Sequence, residues 1–381
     1  MNTANPSSAT PRVLIVGAGI AGLATAGALA RIGWEVDVVE RRWTFNGTPT
    51  GLFIPANGVR ALRALGLGDR VIARGRPIER LVARTADGTL GAGVDLERVW
   101  PAVGPCCAVQ RDLALDALLE TSRAPVRMGS GLSALESDGV AVRATLENGT
   151  SERYDLVVGA DGVRSTVRDS CWPDAPAAYG GESWWRGVVQ CPAELDAWTV
   201  SMCTAGNFLV IPLGNGKAYW VGGHSSPDPF RDPVQGRAAR VRERFDDLQG
   251  APRDVLDQIT DDDRVQFSPA EQAWVEDPVA DRVVLVGDAW HAATPSMAQG
   301  ASLAFEDALV LAAELAAADQ DGIDAALARY AQRRRPRTAH VQQATAVRNQ
   351  LAALPLETRK QAINRWPEIS IASFAPLVAN P

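Results

Sequence analysis

VLIVGAGIAGLATAGALARIGWEVDVVE, residues 13–40, reads as a strand, a glycine turn, a helix and a second strand. Val13–Val16 is a short β-branched run suited to a strand buried on both faces. Leu23–Ala30 is rich in alanine and leucine and is closed by Gly33, and Trp34–Val39 is again apolar. This order predicts a β-α-β unit and a parallel sheet. The turn, Gly17-Ala18-Gly19-Ile20-Ala21-Gly22, has the spacing of a dinucleotide-binding fingerprint. Gly17 permits the tight turn, Gly19 lets amide groups approach a pyrophosphate, and Gly22 lets helix and strand pack closely. The helix start adds unpaired N–H groups and a positive dipole end. Glu40 ends the second strand about twenty residues on, where a carboxylate can accept hydrogen bonds from ribose hydroxyls. FAD and a nicotinamide dinucleotide satisfy this pattern alike.

Two later segments share the strand-to-turn design. In DLVVGADGVRSTVR (155–168) a buried strand runs into Asp161-Gly162 and then a short helix carrying Arg164 and Arg168. Alone this is as well explained by a surface turn, for which Asp-Gly is favoured. In VVLVGDAWHAATPSMAQGASLAFED (283–307) a buried strand ends in Gly287-Asp288, and a loop with Pro295, Gln299 and Gly300 leads into a long helix over 301–317. Asp288 can accept hydrogen bonds from a polyol, and the helix start favours an anion above the strand. Three such segments in this order point to a flavin dinucleotide.

The chain of 381 residues fits two domains better than one. Between the dinucleotide-type ends lies strand-rich sequence. A hairpin is expected around Asp87-Gly88, and another in FLVIPLGNGKAYWVGG (208–223) with its turn at Asn215-Gly216. Residues 57–70 read as one helix ended by Gly66, 236–260 as two helices, and the chain from Ile323 as mostly helical until proline reappears. The expected fold is α/β: a Rossmann-like dinucleotide domain from residues 11–75, 100–175 and 270–345, an inserted mixed or antiparallel β-sheet domain from 76–99 and 176–269, and a helical tail over 346–381.

Composition excludes other classes. A net charge of −7 argues against nucleic acid. The Arg333–Arg337 run (RRRPR) is expected to be a solvated helix face. Five cysteines without a C-x-x-C pair suggest reduced thiols in a cytoplasmic protein. Val13–Ala30 carries no charge over 18 residues, near the ~20 of a membrane helix, but glycines interrupt it, so no integral membrane association is expected.

The three motifs together resemble the class A flavoprotein monooxygenases, the para-hydroxybenzoate hydroxylase-like family, over roughly residues 11–345. The resemblance implies non-covalent FAD with NADPH or NADH as co-substrate. Gly17, Gly19, Gly22 and Glu40 would hold the ADP part, with the basic Arg41 near the adenosine. Arg111, opening the helix in AVQRDLALDALL (108–119), would contact the flavin side chain. Asp161-Gly162 would serve FAD and the nicotinamide together, Asp288 the ribityl chain, and Pro295, Gln299 and Gly300 the flavin ring. Reduced flavin would carry oxygen as a C4a-hydroperoxide to a small aromatic or polyketide-like substrate, hydroxylating or epoxidising it, with the protein a monomer or homodimer. An FAD oxidase or reductase without oxygen insertion is the alternative, and a silent redox sensor a third. A halogenase would need a W-x-W-x-I-P segment that the chain lacks.

Two positions depart from the family pattern P-x-x-G-Q-G. Ala298 stands for its first glycine, which would be strained if φ there is positive. Ser302 stands where an asparagine is usual. For the substrate pocket the candidates are Trp184, Trp185, Arg186, Trp220 and His224: Arg186 to bind a carboxylate or phenolate, His224 to deprotonate a phenol. His291 beside Asp288 is read as a structural hydrogen bond.

Overall fold

The structure is a computed structural model and describes residues 10–45, 49–318 and 322–381. Its centre is a six-stranded sheet. Arg12–Val16 lies in the middle, parallel to Glu35–Glu40 on one side and Leu156–Gly159 on the other. Val283–Leu285 extends it in parallel beyond Leu156–Gly159, and Val126–Met128 beyond Glu35–Glu40. The short Val279–Ala280 strand adds antiparallel at the edge. Val13, Leu14 and Ile15 are fully buried, as are Leu156, Val157 and Val158, in a core shared with the helices Ile20–Arg31 and Gly300–Ala316 and with the three-stranded antiparallel sheet Leu132–Ser137, Val142–Leu146 and Ser151–Tyr154.

Register places the three motifs together. Val16 pairs with Gly159 and Gly159 with Leu285, so the three strands end on one line. Each then turns into a helix or loop at the same edge, where open α/β sheets bind their ligands.

A seven-stranded sheet forms the second layer, in the order 266–272, 178–190, 217–225, 206–212, 198–203, 80–85, 91–95. It is antiparallel except where Trp198–Cys203 meets Arg80–Thr85. Its faces differ. Trp185, Phe208, Val210 and Trp220 pack under the helices Arg237–Arg244 and Ala251–Asp257. Trp184 and Val221, with Tyr219 and Leu209, lie on the other face.

Two helical expectations change. Residues 57–70 are two helices, Ala56–Ala64 and Gly68–Ala73, because Gly66 takes φ +66° and turns the chain. The tail helix runs unbroken from Ile323 to Ala352 with Pro336 inside it. Proline removes one helical hydrogen bond, and buried ion pairs from Arg334 and Arg337 flank the gap.

Candidate functional site

The first turn is shaped for a close ligand. Gly17 has φ +105°, and a Cβ there would lie 2.5 Å from the Ala160 carbonyl oxygen of the neighbouring strand. A Cβ on Gly22 would lie 1.8 Å from the Gly17 oxygen, so this glycine lets the helix Ile20–Arg31 sit on the turn. A Cβ on Gly19 would meet nothing within 4 Å. Gly19 is also the helix N-cap and supplies no side chain to the first amides. The turn is therefore an uncapped helix start facing open space, which fits a pyrophosphate.

Glu40 is buried at the end of the second strand and accepts from the Ala18 amide at 3.1 Å. It also accepts from the Arg42 amide at 2.9 Å and Arg42 Nε at 3.0 Å. Burial would raise its pKa, but these hydrogen bonds outweigh it and hold Glu40 ionised below the usual range. Arg41 is exposed and makes no side-chain hydrogen bond among the described residues. The basic side chain at the Glu40 carboxylate is Arg42, which sequence reasoning did not single out.

The Asp161 carboxylate accepts from the Ser165 hydroxyl and from the amides of Thr166 at 2.7 Å and Val167 at 3.2 Å. It satisfies the start of the helix Thr166–Cys171, so its side chain is engaged by the protein itself. Gly162, at φ +83°, leaves open space beside it. Arg168 is buried and donates to Ala289 O at 3.1 Å and Val163 O at 2.7 Å, joining this turn to the Asp288 segment. Arg164 is exposed and pairs with Glu271.

Asp288 and Arg111 face one cleft. Both side chains are exposed, yet walled by protein. Removal from bulk water, then the charge of Arg42, lowers the pKa of Arg111, and Asp288 opposes this. Burial raises the pKa of Asp288, and His291 and Arg111 oppose it. Arg111 is therefore within electrostatic reach of Arg42 at one end and Asp288 at the other. Gly287 takes φ +58°, and a Cβ there would come within 2.8 Å of Ala21. Close packing at that point brings the first turn beside the Gly300–Ala316 helix, and a Cβ on Gly300 would lie 3.6 Å from Asp288 Oδ1.

The loop before that helix is held from beneath. Pro295–Met297 is one 3₁₀ turn, and Ala298 follows at φ 50°, ψ 33°. The position does need the left-handed conformation, so alanine is strained there. Gln299 is buried and turned inward, its Oε1 accepting from Asn57 Nδ2 at 2.9 Å. Asn57 also donates to Glu306 Oε1 at 2.9 Å. Glu306 is gripped by Arg334 at 2.8 Å and by both ends of the Arg337 fork at 2.7 Å. Arg334 Nε reaches Asp307 at 2.8 Å, and Asp307 accepts from the Gly287 amide at 2.9 Å and meets His291 Nε2 at 2.7 Å. One buried network thus links Gln299 to Gly287.

This corrects the reading of Arg333–Arg337 as a solvated face. Arg334 is completely buried and Arg337 nearly so. They stand three residues apart, one turn of helix, and meet the adjacent acids Glu306 and Asp307. Only Arg333 and Arg335 lie outward, beside Glu314 and the Glu276–Asp277 pair. Ser302 is buried against Gly58, whose Cβ would fall 2.2 Å from its Oγ. A larger asparagine would not fit this contact between helices.

Strand alternation sorts the pocket candidates. Arg186 and Trp184 share the face with Tyr219, and Arg186 donates to the Ser268 hydroxyl. Burial raises the Tyr219 pKa and Arg186 lowers it. Trp185, Trp220 and His224 point to the other face. Trp185 Nε1 donates to Asp232 at 2.8 Å, and the His224 ring lies edge-on to Phe230 with Nδ1 3.0 Å from Ala205 O. The sheet therefore separates His224 from Arg186. Sequence reasoning also missed Glu182, on the Trp184 face. It is 5% exposed, Oε2 has no partner, and burial pushes its pKa up to about 7, opposed by Ser296 and Trp184. Its signal was only its parity with Trp184 and Arg186, which needs the sheet to become visible.

Comparison with known proteins agrees with this geometry. Residues 10–345 match the family model described as FAD binding domain. The chain is 31% identical over 336 residues to an aurachin C monooxygenase/isomerase of Stigmatella aurantiaca, covering 84% of this chain and 83% of that protein. It is 33% identical over 376 residues to a 3-amino-4-hydroxybenzoate 2-monooxygenase of Streptomyces platensis, covering 92% and 90%. Its fold matches Klebsiella pneumoniae HpxO, solved with FAD and uric acid, at a TM-score of 0.88 with 23% identity and 97% of each chain covered. The chain belongs to the FAD binding domain family and is an FAD-dependent flavoprotein monooxygenase.

Proposed function

We propose that this chain hydroxylates a small aromatic substrate with O₂ and NAD(P)H. The observation that carries the reading is the meeting of the cleft and the pocket face. Arg111 is within electrostatic reach of both Asp288 in the cleft and the Arg186–Tyr219 pair of the sheet. The relatives, acting on aminohydroxybenzoate and aurachin C by name, support an aromatic ring.

The residues divide the work as follows. Gly17, Gly19 and Gly22 admit the pyrophosphate to the first helix start, and Glu40 accepts from the ribose. Arg111 neutralises negative charge in the cleft, and Asp288 accepts from the ribityl hydroxyls. Gly162 leaves room on the same side, while Asp161 fixes its turn. Pro295 and Gly300 frame the loop at the flavin ring, and the Gly300 helix start favours negative charge there. Gln299 holds that loop through Asn57. When bound, FAD supplies the electron transfer and oxygen activation that side chains cannot. Arg186 and Tyr219 orient the substrate, and the apolar Trp184, Leu209 and Val221 exclude water. Residues 11–75, 100–175 and 270–345 would form the FAD unit, and 76–99 and 176–269 the pocket sheet. Free thiols at all five cysteines suit a cytoplasmic protein.

The test is coupling. Purified FAD-loaded protein is given NADPH or NADH with a panel of phenols, aminophenols and quinolones, and nucleotide oxidation is compared with hydroxylated product. One aromatic should accelerate nucleotide oxidation and be converted in proportion. Nucleotide oxidation yielding only H₂O₂ with every aromatic would favour an oxidase.

A further inference from the structure

The strand Ala178–Gln190 begins against the flavin-side turn. A Cβ on Gly180 would lie 2.5 Å from Thr294 Cγ2, so strand and turn are pressed together there. Gly181 takes φ +81° at an irregularity in the pairing with strand 266–272, and Glu182 then comes onto the face of Trp184 and Arg186. Its Oε2 is shut off from water without a partner, and Trp184 Nε1 is likewise buried and unpartnered. The polar side chains within reach of the carboxyl are Ser296 of the turn and Trp184.

The hydrogen bonds of the turn fix what Ser296 can do. A serine hydroxyl has one hydrogen to donate. Ser296 donates it to Asn349 Oδ1, near the end of the Ile323–Ala352 helix. Asn349 Nδ2 donates back to Thr294 Oγ1 at 2.7 Å, which sets the orientation of that amide. These two bonds tie the flavin-side turn to the tail helix. A group that meets the Ser296 oxygen from the strand side must therefore donate to it. An ionised carboxylate only accepts, whereas a protonated one carries an O–H. An ionised Glu182 would compete with Asn349 for the single Ser296 hydrogen, and one of the two bonds would be lost.

The surroundings favour the neutral form. Burial pushes the Glu182 pKa up to about 7, opposed only by Ser296 and Trp184. On its own strand Arg186 turns to Ser268. On strand 217–225 Tyr219 lies beside Arg186, and His224 points to the other face of the sheet. On strand 266–272 Glu271 is paired with Arg164. On the tail helix Arg348 meets the Ser296 carbonyl at 3.4 Å and is shifted by burial alone. None of these charges acts on Glu182. The proton is therefore held below about pH 7 and lost as pH rises through it.

We propose that Glu182 is a positioning residue of the flavin-side turn: its carboxyl proton, donated to Ser296, keeps the Ser296 hydroxyl on Asn349 and clamps the turn to the tail helix, and loss of that proton loosens the turn. The monooxygenase reading enters only in setting this turn beside the flavin ring.

The experiment reads backbone hydrogen exchange in FAD-loaded protein without reductant or substrate, so its outcome is independent of oxygen insertion. Wild type, E182Q and S296A are compared at pH 6 and pH 8 in peptides covering residues 290–300 and 344–352, with intrinsic exchange corrected for. At pH 6 wild type and E182Q should be protected alike. At pH 8 wild type should lose protection about 2- to 10-fold, the worth of one hydrogen bond. E182Q, whose amide still donates to Ser296, should lose none. S296A should sit at the loosened level at both pH values. The flavin absorption spectrum should titrate over the same range in wild type and stay flat in E182Q. Equal loosening of wild type and E182Q, no loosening of wild type, a pH response that persists in S296A, or a flavin spectrum that titrates alike in wild type and E182Q would each overturn the proposal. If S296A does not retain FAD, the comparison of wild type with E182Q decides.

Discussion

Gly19 and Gly22 stand three residues apart in one turn, yet alanine at each should do different damage. At Gly19 the backbone is extended, φ −79° and ψ −168°, which alanine adopts freely. Its Cβ would touch no protein atom within 4 Å. Gly19→Ala should therefore leave the FAD-free chain within about 1 kcal/mol of wild type, the small difference between glycine and alanine as N-caps. The methyl would instead occupy the open side of the turn, where the pyrophosphate has to approach the amides. FAD affinity should fall about tenfold or more, or roughly 1.4 kcal/mol. At Gly22 the new Cβ would sit 1.8 Å from a carbonyl oxygen, and relief requires moving the helix off the strand. Such overpacking costs about 1–3 kcal/mol, occasionally more, whether or not FAD is present. Urea melts of the FAD-free variants give the first comparison, and flavin fluorescence titration the second. A Gly19→Ala chain that binds FAD like wild type, or that is destabilised as much as Gly22→Ala, would refute the assignment of the open side to the cofactor.

Other consequences concern the supports of the site. Arg334→Met strips Asp307 of its guanidinium and Glu306 of one of two, and breaking a buried pair of this kind costs about 3–5 kcal/mol; the urea midpoint should fall accordingly, and an unchanged midpoint would show the network to be dispensable. Ala298→Gly removes left-handed strain of about 1–2 kcal/mol but adds about 0.4–1 kcal/mol of unfolded-chain entropy; a thermal midpoint equal to or slightly above wild type is expected, and a clear drop would contradict the strain. Glu182, with its folded pKa raised from 4.5 to about 7, binds its proton more tightly when folded. Its contribution is fully present at low pH and is lost as pH rises from about 4.5 to 7. Glu182→Gln should therefore gain stability relative to wild type between pH 5 and pH 8, by up to about 3 kcal/mol from the size of the shift. Equal pH dependence of the two melts would exclude an unpaired buried carboxyl.

How much was readable before the structure depends on whether a residue acts through its neighbours in sequence. The turn at Gly17–Gly22 was legible because strand, glycine spacing and helix are local, and the same holds for the strand ends at Gly162 and Asp288. Ala298 was legible as a strained position because one φ sets it. Arg334 and Arg337 were not. A charge run in a helix usually faces water, and only the packing of two helices shows that Glu306 and Asp307 are waiting opposite. His224 and Trp220 were misplaced for a related reason: the strand carries aromatic or polar residues on both faces, and only the helices over one face show which side remains for a pocket. Tyr219 and Glu182 belong to that remaining side, and no short motif marks them.

On this reading the strand-end cleft and the adjoining sheet face work together to insert an oxygen atom into an aromatic ring. Product mass spectrometry under ¹⁸O₂, with NADPH or NADH and an aromatic compound that perturbs the bound flavin, is the decisive measurement. A hydroxylated product carrying one heavy oxygen is expected. Turnover of the same compound to a product with oxygen only from water, or with none added, would contradict it.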